Sequence, residues 1–275
     1  MNNIQRDVSF HGTFPPTLRY ISEIVKLASQ NFSGTKEEIS EITGITTGEK
    51  TGKVVPHIKY AKFMNLITSS DIENGKFNLE LTDLGQLIYQ EDKFFIDKIS
   101  KWLVNYFLCD YFDGAPQWSF IFNKFNYTFD SEYSMDDIDE AAKLYFSKNA
   151  KMSILKNMYV ADYGFEDLNL IKEVNKNIVF KKSIIQQDAL YVYGYTLLYT
   201  WEKYKNDEIE INVNEIINDM RWSSKFGFDY NTTLEVLDEL ESLGIIKLNK
   251  QLTPITVIKT ESSDDIIGNI YDLAL

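Results

Sequence analysis

Val54-Val55-Pro56-His57-Ile58-Lys59-Tyr60-Ala61-Lys62-Phe63-Met64-Asn65, followed by Leu66-Ile67 and then by Glu73-Asn74-Gly75, is the stretch on which the fold turns. The first twelve residues have helical spacing, with Val54, Ile58 and Ala61 inward and Lys53, His57, Lys59 and Lys62 outward. Asn-Gly between apolar runs is a strong hairpin signal. Beyond it Phe77, Leu79 and Leu81 alternate with Lys76, Asn78 and Glu80, as in a half-buried strand. A helix running into such a hairpin is the closing half of a winged helix-turn-helix unit, and Phe10 to Leu81 supplies the rest.

Leu18, Ile21, Val25 and Ala28, widened by Ile24 and Leu27, mark a first helix that Pro16-Thr17 can start. Arg19, Glu23 and Lys26 share its outer face. Ser33-Gly34-Thr35 breaks the chain, and Thr35 with Glu38 has capping-box spacing for a second helix, whose buried side is Ile39 and Ile42. Gly44 ends it. The loop Ile45 to Gly52 does not make a P-loop, because Gly44 and Gly48 are too close together and Glu49 stands before Lys50-Thr51. Thr82 then caps a helix carrying Leu84, Leu87 and Ile88.

From Phe94 to about Tyr159 the pattern is helical and aromatic, with Phe95, Trp102, Tyr106, Trp118, Phe120, Phe122, Phe125 and Tyr127 among its rings. Such rings can stack bases, but the accompanying charges are mostly acidic, which favours a packed core. Ser134 with Asp137 caps a helix striped by Ile138, Ala141, Ala142 and Tyr145. Asp136, Asp137, Asp139 and Glu140 there complement the helix dipole rather than build a metal site. The last third repeats the first: a helix over Ile184 to Tyr204, then Val213 to Met220, then Thr232 to Leu243, then strands at Ile245 to Leu248 and Ile255 to Lys259. Its third helix carries Glu235, Asp238, Glu239 and Glu241, which repel phosphate, so this domain is expected to contact protein or to self-associate into a homo-oligomer. A tail helix is expected to dock through Ile266, Ile267 and Ile270.

The expected fold is mainly α: a winged helix-turn-helix N-terminal domain (1–92), an aromatic-rich helical middle (93–182) and a second winged-helix-like domain (183–275). With 275 residues, 44% hydrophobic and 14% aromatic, the chain has ample core material. No apolar run reaches the roughly 18 residues of a membrane span, and Met1 to Ser9 is polar, so the expected location is the cytoplasm and no membrane partner is implied. One cysteine, Cys109, excludes an internal disulfide, and with only His11 and His57 a Cys/His zinc site is out of reach. No metal or cofactor is implied. The net charge of −13 argues against diffuse nucleic-acid binding. It is unevenly spread, however: residues 1–67 sum to +2 and the remainder to −15. The N-terminal unit is the part that suits a polyanion.

At Phe10-His11-Gly12-Thr13-Phe14-Pro15 and Arg19, then at the Gly/Thr-rich loop and Pro56-His57-Ile58-Lys59-Tyr60, the chain resembles a bacterial domain family that occurs in DNA phosphorothioation loci, including the single-strand type used in phage defence. Many members carry a charged residue directly after the motif histidine, where this chain has Gly12. The resemblance implies an accessory DNA-binding component beside a cysteine desulfurase, an ATPase and a sulfur-transferring ATP pyrophosphatase. It brings no established catalytic residues.

The functional expectation is therefore a double-stranded-DNA-binding adaptor. Its contacts are Arg19, Lys50, Lys53, His57, Lys59 and Lys62, and its acidic remainder recruits the ATPase and sulfurtransferase. Two alternatives stand beside it. One is a metal-dependent nickase, whose nearest sequence pattern is Asp83 with Glu91-Asp92-Lys93. The other is a purely protein-binding module.

Overall fold

The computed structural model describes residues 7–49, 51–70, 75–251 and 253–274. One order of elements recurs three times along it: helix, short strand, helical segment, helix or helical turn, two-stranded hairpin. Each time the lone first strand pairs antiparallel with the last strand of the hairpin. By compactness the chain divides into two units, Met1–Phe180 and Lys181–Leu275, and the first unit contains two of the repeats.

The first repeat comprises α1 (Leu18–Ala28), β1 (Ser33–Thr35), α2 (Lys36–Thr43), α3 (Val54–Phe63), β2 (Ile67–Ser70) and β3 (Lys76–Leu81), with the sheet ordered β1-β3-β2. Leu18, Ile21, Ile24, Val25, Leu27 and Ala28 bury one side of α1, and α2 begins with the expected capping box between Thr35 and Glu38. Ile42 is an exception to the expected buried side of α2, for it is 59% exposed. Ser33–Thr35 is a strand edge rather than only a break, since Gly34 lies opposite Phe77. Of the hairpin tip, Glu73 and Asn74 fall outside the described residues, while Gly75 takes φ +73°.

The inward side of α3 is wider than its apolar spacing predicts: Val54, Pro56, His57, Ile58, Tyr60 and Ala61 are all buried. The preceding chain lies across it, with the Phe10 ring 4.9 Å from both Tyr60 and Phe63 and Tyr60 Oη donating to Phe14 O at 2.9 Å. The helix Lys98–Leu108 packs on it as well, and Trp118 meets Tyr60 edge-on at 5.6 Å. Helix α4 (Asp83–Glu91) closes the repeat. Thr82 caps it through Gly85 N–H (2.9 Å), and only a glycine fits at 85, because a Cβ there would stand 1.9 Å from Leu66 O.

The middle is not only helical. After α5 (Lys98–Leu108) come α6 (Pro116–Asn123), β4 (Glu132–Tyr133), α7 (Met135–Phe146), α8 (Ser153–Val160) and the hairpin β5 (Ile171–Val174) to β6 (Asn177–Phe180), with the sheet ordered β4-β6-β5. Many of its aromatics are core: Tyr106, Trp118 and Tyr159 are fully buried and Tyr127 stacks on Phe180 at 4.1 Å, whereas Phe112 and Tyr145 are exposed, the latter against its expected place in the buried stripe of α7. Because α3 packs on α5, the regions 1–92 and 93–180 share one body.

In the second unit, α9 (Leu190–Tyr204) is followed by β7 (Glu210–Asn212), a π-turn at Glu215–Asp219, a 3-10 turn at Ser223–Phe226, α10 (Tyr230–Ser242), β8 (Ile246–Asn249) and β9 (Thr256–Lys259), with the sheet ordered β7-β9-β8. The tail helix α11 (Ser263–Ile266) packs on α9, burying Ile266 and Ile270. Part of the acidity expected on α10 serves the fold: Asp238 pairs with Lys250 at 2.8 Å, and Glu241 Oε1 accepts Leu248 N–H at 2.7 Å. No helix among the described residues is long and apolar enough to cross a membrane.

Candidate nucleic-acid interface

Of the six residues expected to touch DNA, five are described, and one of these, His57, is buried away from any shared surface. Lys59 and Lys62 lie on the outer side of α3, where Lys59 Nζ pairs with Asp7 at 3.3 Å and Lys62 Nζ donates to Ser69 O at 3.1 Å. Lys53 is the N-cap of α3, and its ammonium sits over the Phe14 ring (5.7 Å) and the Tyr20 ring (5.5 Å). Arg19 is exposed on α1, one residue before Tyr20. Lys50 falls outside the described residues.

His57 is a correction. It has no exposed surface and ties two elements together: Nδ1–H donates to Lys53 O at 2.6 Å, and Nε2 accepts Thr17 N–H, ahead of the first turn of α1, at 3.2 Å. Burial lowers its pKa to about 4, against the opposing effect of the Lys53 carbonyl bond. It is a neutral structural group, and any effect on a ligand passes through the side chains it holds.

Lys53, His57 and Thr17 share a cleft of about 270 Å³ with Phe14, Pro15, Tyr20 and Tyr163. Tyr20 meets the His57 ring edge-on at 5.0 Å, and Tyr163 is 53% exposed. Among the described residues no carboxylate lines this cleft, in a chain of net charge −13. The spacing argument found Lys53 and His57 but missed Tyr163, which lies more than a hundred residues downstream and carries no motif. Phe14 stood in the proline-rich segment without an assigned role.

The preceding residues Val8 to Thr13 border a larger cleft of about 590 Å³ with Asp139, Glu140, Lys143 and Lys151. His11 stands in its wall, 4% exposed. Thr13 N–H donates to His11 Nδ1 at 2.9 Å, and the Gln117 amide nitrogen lies 3.0 Å from Nε2 while donating to Val8 O at 2.7 Å. Burial pushes the His11 pKa below its ordinary value and that of Asp139 above its own. The mixed charges of this cleft suit a polyanion less well than the carboxylate-free one.

The nickase pattern does not assemble. Asp83 and Glu91 stand at opposite ends of α4, about 12 Å apart along the axis. The Asp92 carboxylate is taken up by Ile96 N–H (3.0 Å), Asp97 N–H (2.9 Å) and Ser100 Oγ (2.6 Å). Among the described residues no three His, Cys, Asp or Glu side chains gather where they could hold a metal ion.

Two solved structures share this fold, one described as SspB and one as magnesium ion-bound SspB. Each aligns at a TM-score of 0.78 over 96% of this chain and 88% of its own, with 14% identity. At that identity the likeness concerns the fold alone. No protein with a curated description matches the chain. A family model described as "Protein of unknown function (DUF4007)" matches residues 9–271, nearly the whole length, and the chain therefore belongs to the DUF4007 family.

Proposed function

We propose that this protein is a DNA-binding accessory component of a bacterial DNA phosphorothioation or phage-defence system, and that its first repeat is a winged-helix unit. The observation that carries the proposal is the cleft of Phe14, Tyr20, Lys53 and Tyr163, a cationic and aromatic site with no carboxylate among its described lining residues, in an acidic chain; Arg19, one residue before Tyr20, is exposed. The element order and the β1-β3-β2 pairing support the winged-helix reading, and the phosphorothioation setting rests on the sequence resemblance.

The mode of contact differs from a recognition helix in a major groove. Helix α3 is buried on most of its circumference, so base-edge reading by α3 is disfavoured and phosphate contact by Arg19 and Lys53 is favoured. The acidic second unit is left to engage the ATPase and sulfurtransferase. In a salt series with a short duplex, the double variant Arg19→Glu/Lys53→Glu is expected to abolish most affinity. The milder Arg19→Ala/Lys53→Ala is expected to flatten the log–log salt slope by about 2. An unchanged slope in the alanine pair, or no binding by the parent protein at low salt, rejects the assignment.

A further inference from the structure

The lining of the smaller cleft restricts what can fill it. Phe14, Tyr20 and Tyr163 offer π surfaces, which by themselves suit either a planar ring or an organic cation. The cation position is already held by Lys53 Nζ, 5.7 and 5.5 Å from two of the ring centres, so a second cation is repelled. With no carboxylate in the lining, the complementary ligand is a flat ring that carries an anion. A volume of about 270 Å³, the share of about nine waters, has room for one nucleobase.

The walls are also set in advance. His57 links Thr17 at the α1 N-terminus to Lys53 at the α3 N-terminus and supports Tyr20 edge-on. Pro15 and Pro16 stiffen the segment that carries Phe14. Little ordering remains for a ligand to induce. Tyr163 reaches the cleft from a distant part of the chain and keeps 53% of its surface exposed, so its ring is open to a ligand.

We infer that this cleft takes a single unstacked nucleotide of a DNA strand, with its base against Phe14, Tyr20 and Tyr163 and its phosphate on Lys53. This rests on the DNA reading above and narrows its substrate: a fully stacked duplex presents no base face to the cleft, whereas an unpaired or extruded base does.

The test uses the full chain and two short duplexes, one fully paired and one with a single unpaired 5-iododeoxyuridine. The unpaired duplex is expected to bind about tenfold more tightly. On irradiation its iodouracil should cross-link to Tyr163, Tyr20 or Phe14, as mapped by mass spectrometry. Tyr163→Ala should bring the affinity for the unpaired duplex down to that for the paired one, and Tyr163→Phe should keep the preference. Equal binding of both duplexes with no cross-link in the cleft overturns the nucleotide inference and leaves the DNA reading standing. A preference that survives Tyr163→Ala overturns it as well. Binding of neither duplex at low salt overturns both.

Discussion

At the scale of single residues, burial decides more than residue type. His57 stood in a basic helix as a candidate contact, yet its neutral ring joins the α1 and α3 N-termini. Its folded pKa of about 4 lies below the ordinary 6.5, so the unfolded chain binds the extra proton first. Stability is therefore complete above about pH 6.5 and declines as the pH falls toward 4, by about 3 kcal/mol at most. Urea midpoints measured from pH 7 to 4.5 should show this decline. His57→Gln should be less stable at pH 7 and should flatten most of the slope. Asp229 acts lower on the scale. Burial pushes its pKa up, but the Lys182 ammonium at 2.6 Å and the Thr232 N–H at 2.8 Å outweigh this and leave it at about 2. Its stabilising contribution is present above about pH 3.8 and is lost between there and pH 2, a loss that Asp229→Asn should remove from acid-unfolding curves.

At the scale of elements, local chemistry was legible where it is local in sequence. The Thr35 and Ser134 capping boxes and the Thr82 cap stand where the spacing puts them, because each needs only four consecutive positions and a hydroxyl. Strands β1 and β4 were not legible. They have three and two residues, and each exists only because a strand more than forty residues later supplies its partner. Two substitutions probe these elements. Gly85→Ala is expected to cost about 2–3 kcal/mol in urea unfolding, since its methyl group would meet the Leu66 carbonyl and the backbone must move. Asp92→Ala removes the acceptor of two backbone N–H groups and the Ser100 hydroxyl in the turn before α5. A loss of about 2 kcal/mol is expected there.

At the scale of the whole molecule, two compact units each carry their own core and two of the four tryptophans: Trp102 and Trp118 in the first, Trp201 and Trp222 in the second. Unfolding is expected to depart from a single two-state transition, with a calorimetric enthalpy exceeding the van't Hoff value. Replacing Trp102 and Trp118 by Phe should isolate the fluorescence transition of the second unit. Charge is likewise a property of the whole. Residues 1–67 sum to +2, and among their described cations Lys59 is matched by Asp7 and Lys53 lies over aromatic rings. Lys59→Ala/Lys62→Ala is expected to change duplex affinity less than Arg19→Ala/Lys53→Ala, a ranking that one titration series can check.

Periodicity, caps and turn residues in the sequence were enough to establish the helices of the first repeat, its hairpin, the related order of the last third and the docking of the tail. These signals are written within a few residues of one another. Tertiary structure alone decided that the middle holds a third sheet, that α3 is covered rather than free, and that Phe14, Tyr20, Lys53 and Tyr163 share one cleft. Those outcomes depend on contacts between distant segments. A residue's spacing specifies which face of its own helix it occupies, but not what another part of the chain will lay across that face.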